Sequence, residues 1–308
     1  MLNRDKTTIN VITTCDNAYV QHTAVFLKSL FAQNSDTNCR IFVSVPDNFI
    51  YRRSLERNLG SHLEFLNINR SETDSLKLKS SAVYYYRLFL DQLMPTNIDR
   101  AICLDSDVLI VGSLEELWAI DLEEHVIAAV SDAIADRDQS VRQKIGLAPT
   151  SHYFNAGVLV VNFCRWRNAQ LGKRALNFAV EHPDLITYPD QCALNHVLKG
   201  QFKELTKDWN FQTGHLWAEN GKCTADALRD LEAAKIIHFT GRQKPWYYLT
   251  NHPMKWLYWK YLRETEWRDY CPPDRNARNI LRKNLENKAP AIVNAARRAR
   301  TLWRPTMG

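Results

Sequence analysis

The sequence predicts an α/β domain built on a mixed, mostly parallel sheet with flanking helices. Two observations predict it. Short β-branched runs alternate with stretches of helical spacing through the first third of the chain, and a β-α-β-α order places crossover helices on the faces of parallel strands. The hydrophobic fraction of 45% and charged fraction of 24% are those of an ordinary globule. A chain of 308 residues buries a sizeable core without disulfide staples.

Residues 9–13 are a β-branched run and read as the first strand, and residues 19–32 carry apolar side chains at helical spacing. Residues 41–45 give a second strand, and 49–59 a helix preceded by Pro46 and Asp47. A third strand at 63–68, a helix at 82–93 and a fourth strand at 101–104 follow. Further on, 126–130 and 157–161 are apolar strands, 189–198 is helical and 236–239 is a strand. The segment 246–271 is rich in aromatic residues, and Cys271-Pro272-Pro273 breaks the pattern. Residues 1–271 are therefore expected to form the body and residues 272–308 a basic, helical C-terminal tail. Ligands of such sheets bind at the carboxyl ends of strands, so the residues just after each apolar run are the places to search.

Composition narrows the function classes. The seven cysteines, Cys15, Cys39, Cys103, Cys164, Cys192, Cys223 and Cys271, are dispersed and form no C-x-x-C pair, as expected of reduced thiols in a cytoplasmic protein. The first residues carry no long apolar stretch and no run approaches the ~18 residues of a membrane span, so neither a secretory leader nor a spanning helix is expected. The net charge of +6 is unevenly placed. From Arg275 to Gly308 there are nine Lys/Arg and one acid, Glu286, a formal +8 that leaves the body near neutral at −2. Such asymmetry points to an anionic partner for the tail. A nucleic-acid-binding body is not expected, because it is slightly acidic and its aromatics are not interleaved with cations.

The familiar nucleotide motifs are missing. No two glycines stand two residues apart, and there is no G-K-[ST], H-E-x-x-H or paired C-x-x-C. What the sequence does hold is Asp105-Ser106-Asp107, placed directly after the strand at 101–104. Carboxylates two residues apart at a strand mouth can face one cation, and hard oxygen ligands suit Mg²⁺ or Mn²⁺. The spacing by itself also fits a turn with Asx hydrogen bonds, and two acids so spaced arise by chance about once in a chain of this length. A second pair, Asp136-Arg137-Asp138, lies in a polar stretch and reads as a solvated loop or helix start.

Six motifs in order carry a resemblance. They are Thr14-Cys15-Asp16-Asn17-Ala18-Tyr19, Tyr84-Tyr85-Tyr86-Arg87-Leu88 and Leu104-Asp105-Ser106-Asp107-Val108, followed by Tyr153-Phe154-Asn155-Ala156-Gly157-Val158-Leu159, Pro189-Asp190-Gln191 and His238-Phe239-Thr240-Gly241-Arg242-Gln243-Lys244-Pro245-Trp246. The set, spread from about residue 9 to residue 246, resembles glycosyltransferase family 8, which includes glycogenin and the bacterial lipopolysaccharide and lipooligosaccharide hexosyltransferases. The resemblance implies the GT-A fold, a UDP-sugar donor and Mn²⁺ (or Mg²⁺) as cofactor.

Each residue that the resemblance singles out also has an ordinary structural reading. His238 ends an apolar strand, where a lone histidine is commonly a satisfied core residue; the resemblance makes it the third metal ligand beside Asp105 and Asp107. Lys244 is either a surface lysine or a point charge on the leaving diphosphate, with Gly241 letting the backbone approach that phosphate. Asp16 and Tyr19 read as a helix cap and a packed ring, or by resemblance as contacts to the uracil or ribose. Arg87 is a salt-bridged helix arginine or a group on the sugar and phosphate side of the donor. Asp132, Asn155 (in a tight Asn-Ala-Gly turn) and Asp190 resemble groups that bind the donor sugar. Gln191 resembles the group on the far face of the anomeric carbon. Thr14, Ser106 and Ala156 lie in the same motifs and are expected at the donor.

The expectation is therefore a metal-dependent, retaining hexosyltransferase that moves galactose or glucose to a sugar hydroxyl of a glycan or glycolipid, such as lipopolysaccharide or lipooligosaccharide, through a front-face displacement or a covalent step at Asp190 or Gln191. The alternative is a UDP-sugar hydrolase or other nucleotide-sugar metalloenzyme. The expected location is the cytoplasm, peripheral on the inner face of the cytoplasmic membrane. The basic, amphipathic tail would meet the anionic membrane surface, with Pro290 dividing it into two short helices.

Overall fold

The computed structural model describes residues 8–59, 63–74, 76–217 and 223–288. Its strands are β1 (Ile9–Thr14), β2 (Cys39–Pro46), β3 (Leu63–Ile68), β4 (Arg100–Leu104), β5 (Val108–Ile110), β6 (Ile127–Ser131), β7 (Phe154–Asn162), β8 (Lys203–Glu204), β9 (Phe211–Gln212) and β10 (Ile236–His238). A seven-stranded sheet runs β3-β2-β1-β4-β7-β6-β8, and a small sheet runs β5-β10-β9. In the large sheet β3, β2, β1 and β4 are parallel, β7 is antiparallel to both β4 and β6, and β8 is parallel to β6. The α/β, mostly parallel architecture expected from the sequence is the one observed.

Both faces of the large sheet are covered, because alternate residues feed two cores. Phe42, Ala101, Cys103, Leu159 and Val161 point into one, with Trp166 and Phe178 from the helices above it. Ile41, Val43, Ile102, Leu104, Val158 and Val160 point into the other, with Phe26 and Leu30 from helix Val20–Gln33. A third core of Leu109, Phe211, Ile237, Phe239, Trp246, Tyr258 and Tyr261 lies under the small sheet. The aromatic segment beyond residue 246 builds this core. Helix Lys255–Arg263 brings Tyr258 to within 2.7 Å of His22 Nδ1, and Trp246 stacks on the His22 ring at 3.6 Å.

Two local expectations need correction. The stretch at 82–93 is a 3-10 helix, Ala82–Phe89, with only a short α-turn, Leu90–Leu93, after it. Tyr85, Tyr86, Arg87 and Leu88 are all buried in succession, so this half of the segment is packed on every side and shows no single 3.6-period stripe, while Tyr84 before it is exposed. The Asn155-Ala156-Gly157 segment is not a tight turn but part of β7, the nine-residue strand that pairs with β4 and β6.

The start of the expected tail is docked on the body. Asp274 accepts hydrogen bonds from the backbone of Tyr248 (2.6 Å) and Leu249 (3.0 Å). From helix Ala277–Lys288, Lys283 donates to Tyr248 O at 2.7 Å and its Nζ lies 4.8 Å from the centre of the Tyr248 ring. The remainder of the tail, including Pro290, lies outside the described residues. No helix among the described residues is long and apolar enough to cross a membrane.

Candidate active site

The carboxyl ends of β1 and β4 open onto a cleft of about 760 Å³, the size of a pocket for a sizeable small molecule. Thr14 ends β1, and Asp16, Ala18 and Tyr19 follow it along one wall. Asp105, Ser106 and Asp107 follow β4, and Arg87, Asp190, Gly241 and Lys244 close the remaining sides. Sequence reasoning missed Tyr84, Arg242 and Tyr247, which line the same cleft. Tyr84 and Arg242 stand inside quoted motifs, whereas Tyr247 lies one residue beyond the last. Nothing in their spacing tells a lining residue from its neighbours.

Asp105, Asp107 and His238 converge. Their nearest ligand atoms all lie within 4.8 Å of one another, with His238 Nε2 3.2 Å from Asp107 Oδ1 and 3.7 Å from Asp105 Oδ2. The fold arranges this through both sheets. Asp105 N donates to Gly157 O at 2.9 Å, extending the β4–β7 ladder by one residue. The chain then turns through Ser106 and enters β5, whose antiparallel pairing with β10 sets Val108 opposite His238. Two carboxylates and one imidazole are a suitable donor set for Mn²⁺ or Mg²⁺. Gly157 leaves the space for it: a Cβ there would stand 2.1 Å from His238 Cε1 and 2.9 Å from Asp105 Oδ2.

Two cations flank the carboxylates. Arg87 is buried and pairs with Asp105 and, at 3.0 Å, with Asp190. Burial works against its charge, but Asp105 and Asp190 outweigh burial and hold the guanidinium above its ordinary range. Lys244 pairs with Asp107 and donates to Phe239 O at 2.6 Å. Burial alone would raise the Asp107 carboxyl; Lys244 and then His238 outweigh it and hold it below the usual carboxylate range. Asp190 behaves oppositely, because burial outweighs Arg87 and lifts its carboxyl to about 6. Gly241, with φ near +70°, takes the left-handed backbone that a glycine tolerates on the way to Lys244.

Asp16 does not cap helix Val20–Gln33, whose N-cap is Tyr19 without a side-chain bond; its Oδ1 instead accepts from Ala18 N at 3.0 Å and Tyr19 N at 2.9 Å and so ties the turn ahead of that helix. It also lines the cleft. Behind the Asp105 wall lies a polar network. Asp132 Oδ2 accepts from Asn155 Nδ2 at 2.9 Å and from Gln191 Nε2 at 3.0 Å, and Gln191 Oε1 accepts from Ala156 N at 3.0 Å. Asp190 and Gln191 open helix Pro189–Leu198, with Pro189 at its first position.

The match of Glycosyl transferase family 8 to residues 10–250 decides the family. The chain belongs to it. General stress protein A of Bacillus subtilis is 28% identical over 276 residues, covering 84% of this chain and 94% of that protein. The lipopolysaccharide 1,2-glucosyltransferase of Escherichia coli is 27% identical over 282 residues, covering 89% of this chain and 82% of that one. Among solved structures, the galactosyltransferase LgtC in complex with donor and acceptor sugar analogues superposes with a TM-score of 0.73 at 26% identity, covering 86% of this chain and 98% of that one. This family 8 protein is a glycosyltransferase with a GT-A-like fold, as its sequence motifs implied.

Proposed function

We propose that the chain transfers galactose or glucose from a UDP-sugar to a sugar hydroxyl on lipopolysaccharide or lipooligosaccharide, with retention and therefore an α-linkage. The observation that carries this reading is the convergence of Asp105, Asp107 and His238 on a cleft that also presents Arg87, Lys244 and Asp190. Asp105, Asp107 and His238 would hold Mn²⁺ or Mg²⁺, which when bound supplies positive charge for a departing diphosphate. Lys244 adds a second charge on that side. Thr14, Asp16, Tyr19 and Ser106 take the nucleotide half of the donor. Arg87, Asp132, Asn155, Ala156 and Asp190 take the sugar, and Gln191 faces the anomeric carbon. The names of the E. coli relative and of the galactosyltransferase neighbour support a hexose donor and a cell-surface glycan acceptor.

We assign residues 1–271 to the transferase body and residues 272–308 to a basic segment that holds the protein on the cytoplasmic face of the membrane, where a lipid-linked acceptor is presented. The charge asymmetry supports this. Truncation after Lys288, which leaves the docked helix Ala277–Lys288 in place, should keep turnover on a small soluble acceptor and abolish binding to anionic liposomes; equal binding by both forms rejects the assignment.

The donor is tested by screening UDP-sugars with Mn²⁺ for slow hydrolysis, which needs no knowledge of the acceptor. One hexose should stand out. Adding a lipooligosaccharide acceptor should then divert most of the sugar into a product whose anomeric proton coupling is that of an α-linkage. A β-coupling removes the retaining mechanism, and hydrolysis undiminished by any acceptor favours the hydrolase alternative.

A further inference from the structure

We infer that Asn210 is a positioning residue that fixes the tautomer of His238 and joins the metal-ligating cluster to the donor-sugar wall in one buried network. The inference rests on the metal site proposed above. Asn210 is completely buried at the end of the 3-10 helix Lys207–Asn210, immediately before β9. β9 runs parallel to β10 with Gln212 opposite His238. That pairing brings Asn210 Oδ1 to 2.9 Å from His238 Nδ1.

The direction of this hydrogen bond follows from groups that cannot be reversed. Gly157 N–H is a donor only, and it points at Asn155 Oδ1 at 3.0 Å. The Asp132 carboxylate is an acceptor only when ionised, and it takes Asn155 Nδ2 at 2.9 Å. Both ends of the Asn155 amide are thereby set. Its Oδ1 can receive only a donor from Asn210, which supplies Nδ2 at 2.9 Å. Asn210 Oδ1 is then left facing His238, so His238 must carry its proton on Nδ1. Nε2 is then the ring nitrogen left towards the carboxylates, 3.2 Å from Asp107 Oδ1 and 3.7 Å from Asp105 Oδ2, where a bound cation would meet it. Flipping either amide would set two oxygens, or two N–H groups, against each other in a buried place, which is costly.

The physical consequence is twofold. A histidine that ligates a metal through Nε2 needs its other nitrogen held by an acceptor, and such outer partners typically govern affinity by ~10–100-fold. The same chain of amides ends on Asp132, so a group expected at the donor sugar and a ligand of the metal share one set of hydrogen bonds. An aspartate at position 210 would still accept from Nδ1–H but could not donate to Asn155 Oδ1, which separates the two functions.

The test measures Mn²⁺ binding to the full chain without donor, by calorimetry or electron paramagnetic resonance, in wild type, His238→Ala, Asn210→Leu and Asn210→Asp. Asn210→Leu should weaken Mn²⁺ by roughly 10–100-fold, whereas Asn210→Asp should stay near wild type and lose affinity for the UDP-sugar instead. If His238→Ala binds Mn²⁺ as wild type does, the metal reading itself fails. If His238→Ala weakens binding and Asn210→Leu does not, the metal reading stands and the role of Asn210 is overturned. Nitrogen-15 spectra of metal-free wild type give an answer that needs no variant to fold: a protonated His238 Nδ1 agrees with the inference, and an unprotonated Nδ1 contradicts it.

Discussion

Two Asp-x-Asp pairs lie about thirty residues apart in this chain and serve opposite purposes. Asp105 and Asp107 stand where β4 ends, with their side chains turned towards Arg87, Lys244 and His238. Asp136 and Asp138 are spaced in the same way but are consumed by local structure. Asp138 caps helix Gln139–Lys144 by accepting from Ser140 N at 2.9 Å, and Asp136 accepts from Tyr153 N at 2.6 Å and pairs with His152. The difference teaches that the spacing carries no chemistry. What matters is whether the strand before the pair is central and buried and whether a third ligand arrives from elsewhere in the fold.

The sharpest way to break the comparison is at Asp107. Asp107→Ala should lower kcat by roughly 10²-fold or more, as for removal of other principal electrostatic groups, measured as UDP-sugar turnover at saturating Mn²⁺. Gly157→Ala should come next. Its new Cβ would overlap the His238 ring and crowd Asp105, and the displaced imidazole should cost about 10- to 100-fold in activity together with Mn²⁺ affinity.

A third test uses pH. Burial raises the Asp190 carboxyl from 3.8 to about 6, so between those values the native protein holds a proton that the unfolded chain releases. Stability of the metal-free protein should therefore be greatest below pH 4 as far as this group is concerned, and its contribution should fall as pH rises to about 6. Asp190→Asn should remove that dependence in thermal melts while lowering turnover. The smallest effect belongs to the other pair. Asp138→Ala should leave kcat and Mn²⁺ affinity unchanged and lower the melting temperature slightly, through loss of the cap.

The same contrast explains what could be read from the chain. β1 to β4 are runs of five to eight residues whose alternate side chains fill two cores, and their hydrophobic pattern marks both them and the residues at their ends. Asp16, Asp105 and Asp107 were accessible for that reason. β5, β8 and β9 have only two or three residues, too few to develop a period, and the small sheet was not foreseen. That sheet is what carries His238 to the carboxylates. The strand that ends at His238 was legible at 236–239, but the role of His238 as a candidate ligand came through its motif, and Asn210, joined to it across 28 residues of sequence by one hydrogen bond, left no local mark. The Asn155-Ala156-Gly157 segment reads as a tight turn in the sequence but lies in β7, where the glycine leaves space for an imidazole.

The divalent ion proposed between Asp105, Asp107 and His238 is tested most directly by titrating the metal-free protein with Mn²⁺. The double variant Asp105→Asn/Asp107→Asn should show no saturable binding, while Asp136→Asn/Asp138→Asn should titrate like wild type. Retention of Mn²⁺ binding by the first, or its loss in the second, would contradict the assignment.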